Sequence, residues 1–159
     1  MTPAIRQLKK LNIAYTLHQY QHDANAASYG EEAAEKLNIK AAQVFKTLVI
    51  NIDNNAKNTN SLAVAIVPVT HQLNLKACAK ALGVKKIQMA EAKQVTASTG
   101  YVLGGVSPIG QKKRLNTVID TSAESFATIF VSGGKRGLEI EIAMVDLIKV
   151  TSAKVAHIT

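Results

Sequence analysis

Leu62–Val69, LAVAIVPV, is a run of eight residues with no polar side chain. It is far too short to cross a bilayer, and its length suits a strand buried in a sheet. A chain that carries it must build a sheet around it. Val44–Ile52, VFKTLVINI, lies just before it and alternates as a strand does. Phe45, Thr47, Val49 and Asn51 fall on one side, and Val44, Lys46, Leu48, Ile50 and Ile52 on the other. Asp53–Ser61, rich in Asn, Asp and Lys, reads as the hairpin tip that joins the two. Lys46 therefore shares a face with apolar residues. Its ammonium either snorkels to the strand end or lines a cavity, where it can meet a carboxylate, a phosphate or a polarised carbonyl.

Around this pair the chain reads in order. Thr2 and Pro3 are an N-cap and a first helical residue, followed by the stripe Ile5, Leu8, Leu11. Tyr15–Tyr20 is an edge strand, and Glu31–Asn38 a helix with acids first and Lys36 late. Helices at Asn74–Leu82, closed by Gly83, and Ala90–Ala97, closed before Gly100, flank a short Lys86–Met89 segment. Strands follow at Thr117–Asp120, Ala127–Ser132 and Leu138–Ile142, with a turn over Ser122–Phe126 between the first two. A helix at Ala143–Ile148 and a last strand at Ala153–Ile158 complete the chain. Strands and helices interleave irregularly, with hairpin-like spacings in the second half. The expected fold class is α+β: a mixed, mostly antiparallel sheet curling towards a barrel, with flanking helices.

Length bounds the organisation: 159 residues suit one domain, 1–159, with a sizeable core. Nineteen Lys and Arg against eleven Asp and Glu give a net charge of +8, which favours a polyanionic partner such as nucleic acid. Aromatics are only 4% of the chain, so stacking platforms for base readout are few. Cys78, the single cysteine, sits on one helical face with Leu75, Ala79 and Leu82, which reads as core packing in a reducing compartment. No apolar run reaches membrane length and the first residues read as an amphipathic helix, so a soluble cytoplasmic protein with no membrane partner is expected.

The chemistry concentrates in two glycine loops. Gly100–Arg114, GYVLGGVSPIGQKKR, sets Gly104 and Gly105 beside Ser107 and Pro108, then three cations, Lys112, Lys113 and Arg114, expected at the mouth of a site. Ser132–Gly137, SGGKRG, repeats the theme with Gly133, Gly134, Lys135 and Arg136. The glycine pairs are either bends of the curled sheet or opposite lips of one pocket. Small residues and hydroxyls beside cations can bind an oxyanion or phosphate through main-chain N–H groups. No Walker loop, dinucleotide fingerprint, nucleophile elbow or zinc spacing occurs, so no cofactor and no metal are expected. His18, His22, His71 and His157 are scattered, and none stands out as a general base.

VFKTLV at Val44–Val49, TGYVLGGVSPIGQKKR at Thr99–Arg114 and VSGGKRGLEIEI at Val131–Ile142, in that order, resemble the YbaK family of trans-editing aminoacyl-tRNA deacylases. That family is related to the insertion editing domain of bacterial prolyl-tRNA synthetase. The likeness runs over nearly the whole chain, through the opening helix and the HQYQHD segment. It implies cleavage of cysteine mischarged on proline tRNA, and of Cys-tRNA(Cys), with the aminoacylated tRNA 3′ end as substrate. Prolyl-tRNA synthetase, and secondarily cysteinyl-tRNA synthetase, are the implied partners.

By resemblance, Lys46 takes the place of an essential lysine, and Gly104 that of a glycine whose main chain faces the ester. Tyr20, Tyr29, Thr47, Ser132 and Glu139 match other positions of the family's pocket, and the glycine-loop pattern adds Gly105, Ser107, Gly133 and Arg136 as substrate-binding candidates. Tyr29 stands where relatives carry phenylalanine, and Glu139 where aspartate is common. The implied route is substrate-assisted: the cysteine thiol attacks its own ester. Three alternatives remain open: a deacylase for another small amino acid on proline tRNA, a non-catalytic module that binds tRNA or a synthetase, and a pocket for a small anionic ligand with the Lys and Arg runs as solvated surface.

Overall fold

The computed structural model describes residues 1–53 and 61–159. Most of the expected hairpin tip over Asp53–Ser61 lies outside the described residues. The apolar run becomes β3 (Leu62–Pro68), held between β2 (Phe45–Asp53) and β5 (Asn116–Asp120) in a five-stranded sheet of order β4-β2-β3-β5-β8. Here β4 is Lys86–Met89 and β8 is Lys154–Ala156. The run does not alternate because both of its faces are covered. Val64 and Ile66 enter a large core with Phe45, Val49 and Leu147, whereas Ala63, Ala65 and Val67 face Cys78 and Ala79 of helix α3 (Leu75–Leu82) on the opposite side. Antiparallel pairing joins β2 to β3 and to β4, and parallel pairing joins β3 to β5 and β5 to β8.

The second sheet is antiparallel, with β7 (Leu138–Ala143) between β1 (Thr16–Gln19) and β6 (Thr128–Ser132). Its sequence alternation is realised in space. Leu138, Ile140 and Ile142 join Ile129 and Val131 in the large core, while Glu139 and Ser132, cross-strand partners, share the outer face.

The α+β class and the mainly antiparallel pairing stand, but the barrel-like curl is corrected. The two sheets pack on one core, and among the described residues their strands are hydrogen-bonded to each other only by the parallel bridge between Val44 and Phe130, so they do not close. The reason is that β2 has both edges occupied, by β3 along Phe45–Asn51 and by β4 from Ile50 onward, leaving only its first residues to meet β6. The glycine pairs lie in connections outside the strands.

Local signals set the helix ends. In α1 (Pro3–Lys10) the Thr2 hydroxyl accepts from the Ile5 N–H at 3.4 Å. The Asn74 side chain caps α3 at 3.0 Å, and Gly83, at φ 71°, closes it. Gly100, at φ 81°, does the same for α4 (Ala92–Thr99). Helix α2 runs over Tyr29–Lys36, starting earlier than expected because the Ser28 hydroxyl accepts from Glu31 N–H at 3.4 Å. Tyr29 is thereby the first helical residue, held on a rigid element rather than in a loop. The last helix, α5, spans Met144–Thr151. No described helix is long and apolar enough to cross a membrane.

Candidate active site

A cavity of about 320 Å³ opens where the start of β2, the outer face of the antiparallel sheet, the start of α2 and the first glycine loop converge. Val44 and the first residues of β2, Phe45 to Leu48, form one wall, the sheet supplies Ser132 and Glu139, the α2 start supplies Ala27 to Gly30, and the loop supplies Leu103, Gly104 and Val106. Lys46 is half-buried, and among the described residues no carboxylate lies within ion-pair distance of it. Its strand face continues from Val44, which packs on Phe130 and Ala34. The lysine thus follows an apolar contact into a mostly apolar cavity that carries a few polar groups.

Two further polar groups in the cavity lack partners. The Thr47 hydroxyl and Glu139 Oε2 are buried with no hydrogen-bond partner among the described residues. A buried polar atom left unpaired costs about 1–3 kcal/mol, so a pocket that keeps two of them is suited to a ligand that pairs them. Glu139 is only 7% exposed, and burial pushes its carboxyl up to about 8. At neutral pH it is mainly the protonated acid, a donor rather than a fixed negative charge.

The roof is locked by contacts among three segments. Gly104 has φ 87°, and a Cβ there would lie 2.6 Å from Arg136 Nε and 2.7 Å from the Tyr29 ring. Only glycine fits that conformation and that approach. The Arg136 guanidinium stacks 4.2 Å from the Tyr29 ring centroid and donates from Nη2 to Leu103 O at 3.1 Å. A Cβ at Gly105 would meet Lys135 Cα at 2.8 Å, so the two glycine loops abut. The Gly105 N–H is committed to Val102 O at 3.0 Å, while the Gly104 N–H has no acceptor among the described residues.

Other residues singled out in the sequence stand around this centre. The Ser132 hydroxyl accepts from the Gly134 N–H at 3.1 Å on the cavity wall. Gly133 sits behind the wall, where its carbonyl accepts from the Thr2 hydroxyl at 2.5 Å. Tyr20 also lies outside the lining. Burial, then the neighbouring Glu139 charge, push its phenol up to about 12. Ser107 is fully buried, and its hydroxyl accepts from Ile109 N–H at 3.3 Å, so it braces the loop and has no face on the cavity.

The cations of the first loop are also elsewhere. The N–H groups of Lys112 and Lys113 donate to Thr99 O and Ser98 O at 3.0 and 2.9 Å, closing the end of α4 and turning Lys112–Arg114 away from the mouth. The cations at the cavity are Lys46 on its lining and Arg136 over Tyr29.

Sequence reasoning passed over the support behind Tyr29. His22 Nδ1 lies 3.0 Å from Glu32 Oε1, which also accepts from Asp23 N–H at 3.1 Å and faces Lys36 at 3.7 Å. Burial alone would raise the Glu32 carboxyl, but these three partners hold it below its ordinary value. The His22 ring is 5.6 Å from that of Tyr29. Val69 was missed as well: a Cβ at Gly30 would lie 2.2 Å from its Cγ1, a tertiary contact with no local signature. Among the described residues no group of three His, Cys, Asp or Glu could hold a metal ion.

The aminoacyl-tRNA editing domain family matches residues 23–150. The chain belongs to this family. EbsC of Enterococcus faecalis, which bears the name of a Cys-tRNA(Pro)/Cys-tRNA(Cys) deacylase, is 37% identical over 158 residues, 99% of this chain and 93% of that protein. The proline–tRNA ligase of Thermosipho africanus is 31% identical over 104 residues, 65% of this chain but 17% of that enzyme. Among solved structures, a candidate trans-editing enzyme for prolyl-tRNA synthetase superposes with TM-score 0.84 at 20% identity, covering 100% of this chain and 98% of the other. This editing-domain protein therefore shares the fold of that structure over its described length.

Proposed function

We propose that this protein is a trans-editing aminoacyl-tRNA deacylase that cleaves the ester of tRNA(Pro) mischarged with cysteine, and of Cys-tRNA(Cys). Membership of the editing-domain family and the name carried by a relative at 37% identity support the reaction class. The observation that supports the mechanism is the content of the cavity: an unpaired lysine, two unpartnered buried polar atoms and an uncommitted main-chain N–H, with no nucleophile–base pair among the described residues. Such a site holds and polarises an ester but has no group of its own to attack it.

In this reading the attacking group arrives with the substrate. A cysteine thiol, with a free pKa of about 8.5, is a better nucleophile than water and is held next to its own carbonyl. Its sulfur bonds to the carbonyl carbon. The ester C–O bond breaks, and its electron pair leaves with the ribose oxygen, which takes up a proton as the thiol loses one. The product is a thiolactone that water opens. Lys46 anchors the terminal phosphate or the carbonyl, and the Gly104 N–H supports the developing oxyanion. Thr47 and Glu139 pair with substrate polar groups, and Ser132, Tyr29 and Arg136 shape the entrance. Alanine and serine esters are spared for want of a thiol.

The 3′ end of aminoacylated tRNA is the substrate, and prolyl-tRNA synthetase, with cysteinyl-tRNA synthetase second, is the protein partner that supplies tRNA choice. A cytoplasmic place of work is part of the proposal. The test is the lifetime of the ester in Cys-tRNA(Pro), with the protein, with Lys46→Ala, and with Ala-tRNA(Pro) as control. Rapid loss of cysteine, slowed about 10²-fold or more by Lys46→Ala, with alanine retained, is expected. Equal loss of both esters would point to water attack and end the thiol mechanism.

A further inference from the structure

A second, smaller cleft lies on the far side of the first glycine loop. It has a volume of about 90 Å³ and is lined by Gln7 of α1, by Gly110, Gln111, Lys113 and Arg114 of the loop, and by Thr151 at the end of α5. Lys112, Lys113 and Arg114 are all exposed. Lys10 follows Gln7 on the same face of α1, at the i+3 spacing, and is exposed too. Among the described residues no acidic side chain lines the cleft; Asp146, the one acid of α5, is outside it.

The cations are carried on a stiff frame. Tyr101 donates through its hydroxyl to Ile109 O at 2.6 Å, and Gln111 Nε2 to Ser107 O at 3.0 Å. The Lys112 and Lys113 amides are tied to α4, and Arg114 donates to the Ser152 hydroxyl at 2.5 Å. Gly110, at φ 71°, presses on α1 so closely that a Cβ would lie 2.7 Å from the Pro3 carbonyl carbon. Little ordering is left to be done when an anion binds. The same loop roofs the main cavity through Val106, seven residues before Lys113. Even a fully extended segment of that length spans at most about 25 Å, so the cations stand within that reach of the cavity roof.

Taking the editing reading as its basis, we propose that this cleft and its rim of Lys112, Lys113, Arg114 and Lys10 dock the phosphodiester backbone of the tRNA acceptor arm whose aminoacyl end fills the main cavity. The surface fits phosphates better than a protein partner. It is narrow and more polar than apolar, offers Lys and Arg donors and the Gln7 amide, and has no aromatic side chain on its lining, where Pro108, Leu115 and Val150 form the apolar part. With no stacking side chain on the lining it reads charge and spacing, not base sequence.

The test compares wild type with K113E/R114E and with the charge-neutral K113Q/R114Q, on two substrates at 0.05–0.3 M salt. One substrate is full-length Cys-tRNA(Pro), and the other is the cysteinyl ester of a CCA trinucleotide, too short to reach the cleft. For the full-length tRNA, KM should rise at least about tenfold in K113E/R114E and less in K113Q/R114Q. The slope of log KM against log salt should fall by about 2, and kcat and cleavage of the short ester should be unchanged. An unaltered KM for full-length tRNA, or equal losses on both substrates, overturns the proposal. So does loss of binding to immobilised prolyl-tRNA synthetase with tRNA KM intact, which would assign the surface to a protein. If wild type cleaves neither ester, the editing reading fails by itself. Filter binding of uncharged tRNA then decides the docking surface alone: weakening in K113E/R114E upholds it and equal binding overturns it.

Discussion

Replacing Glu139 with glutamine should change how stability depends on pH, and the size of the effect follows from its burial. Glu139 is 7% exposed on the cavity wall, its Oε2 has no partner among the described residues, and burial raises its carboxyl from 4.5 to about 8. In the unfolded chain the group loses its proton from about pH 4.5 upward, whereas in the folded chain it keeps it until about pH 8. Over that window the folded state binds more protons, so wild-type stability falls as pH rises. At about 1.4 kcal/mol per pH step, the penalty is about 3 kcal/mol at pH 7 and levels off at about 5 kcal/mol above pH 8.

Glu139→Gln keeps the shape and removes the titration. Its stability relative to wild type should therefore grow by about 4 kcal/mol between pH 5 and pH 9. For a chain of this size that widens the gap in Tm by about 10 °C. Urea melts followed by circular dichroism at five pH values give the difference directly. Hydrogen-bond changes caused by the amide itself shift the whole curve without changing its slope. A gap that stays constant from pH 5 to pH 9 would refute the reasoning, because it would mean that a cation such as Lys46 or Arg136 meets the carboxylate in solution.

The remaining expectations concern the roof, the floor and the core. Gly104→Ala forces a Cβ against Arg136 and Tyr29 at φ 87°, and should cost about 1–3 kcal/mol of stability in thermal melts together with at least about tenfold in kcat/KM for Cys-tRNA(Pro). Full retention of both would remove the close-contact argument. Thr47→Val deletes an unpartnered buried hydroxyl, so the protein should be no less stable while KM rises; a destabilised variant would reveal a protein partner for that hydroxyl. Cys78 is fully buried among Ala63, Ala65 and Val67, and burial pushes its thiol up to about 11. The folded protein should resist alkylation at pH 8 until denaturant is added, with activity unaffected by the reagent. Ile66→Ala, in the fully buried middle of β3, should lose about 2–5 kcal/mol in urea unfolding.

Much of this protein is written locally. The alternation of Leu138, Ile140 and Ile142 against Glu139 and Glu141 fixes which face of β7 enters the core, and Pro3, Gly83 and Gly100 mark helix ends through their own backbone limits. The family motifs around Lys46, Gly104 and Ser132 are likewise legible, and those three residues line one cavity. Period and backbone restriction act within a few residues, so they survive without knowledge of the rest of the chain.

What needed the tertiary structure is everything that depends on which distant segments meet. The sheet stays open because β2 spends its edges on β3 and β4, and Ser107 turns inward because Ile109 takes its hydroxyl. Lys113 and Arg114 line a second cleft because α4 claims the lysine amides. Glu139 is a protonated acid at neutral pH, although by sequence alone it matches Glu141, whose carboxyl is held below its ordinary value by the Thr128 hydroxyl and His18. A side chain's charge state is set by the solvent and partners left to it after packing, and packing is a property of the whole fold.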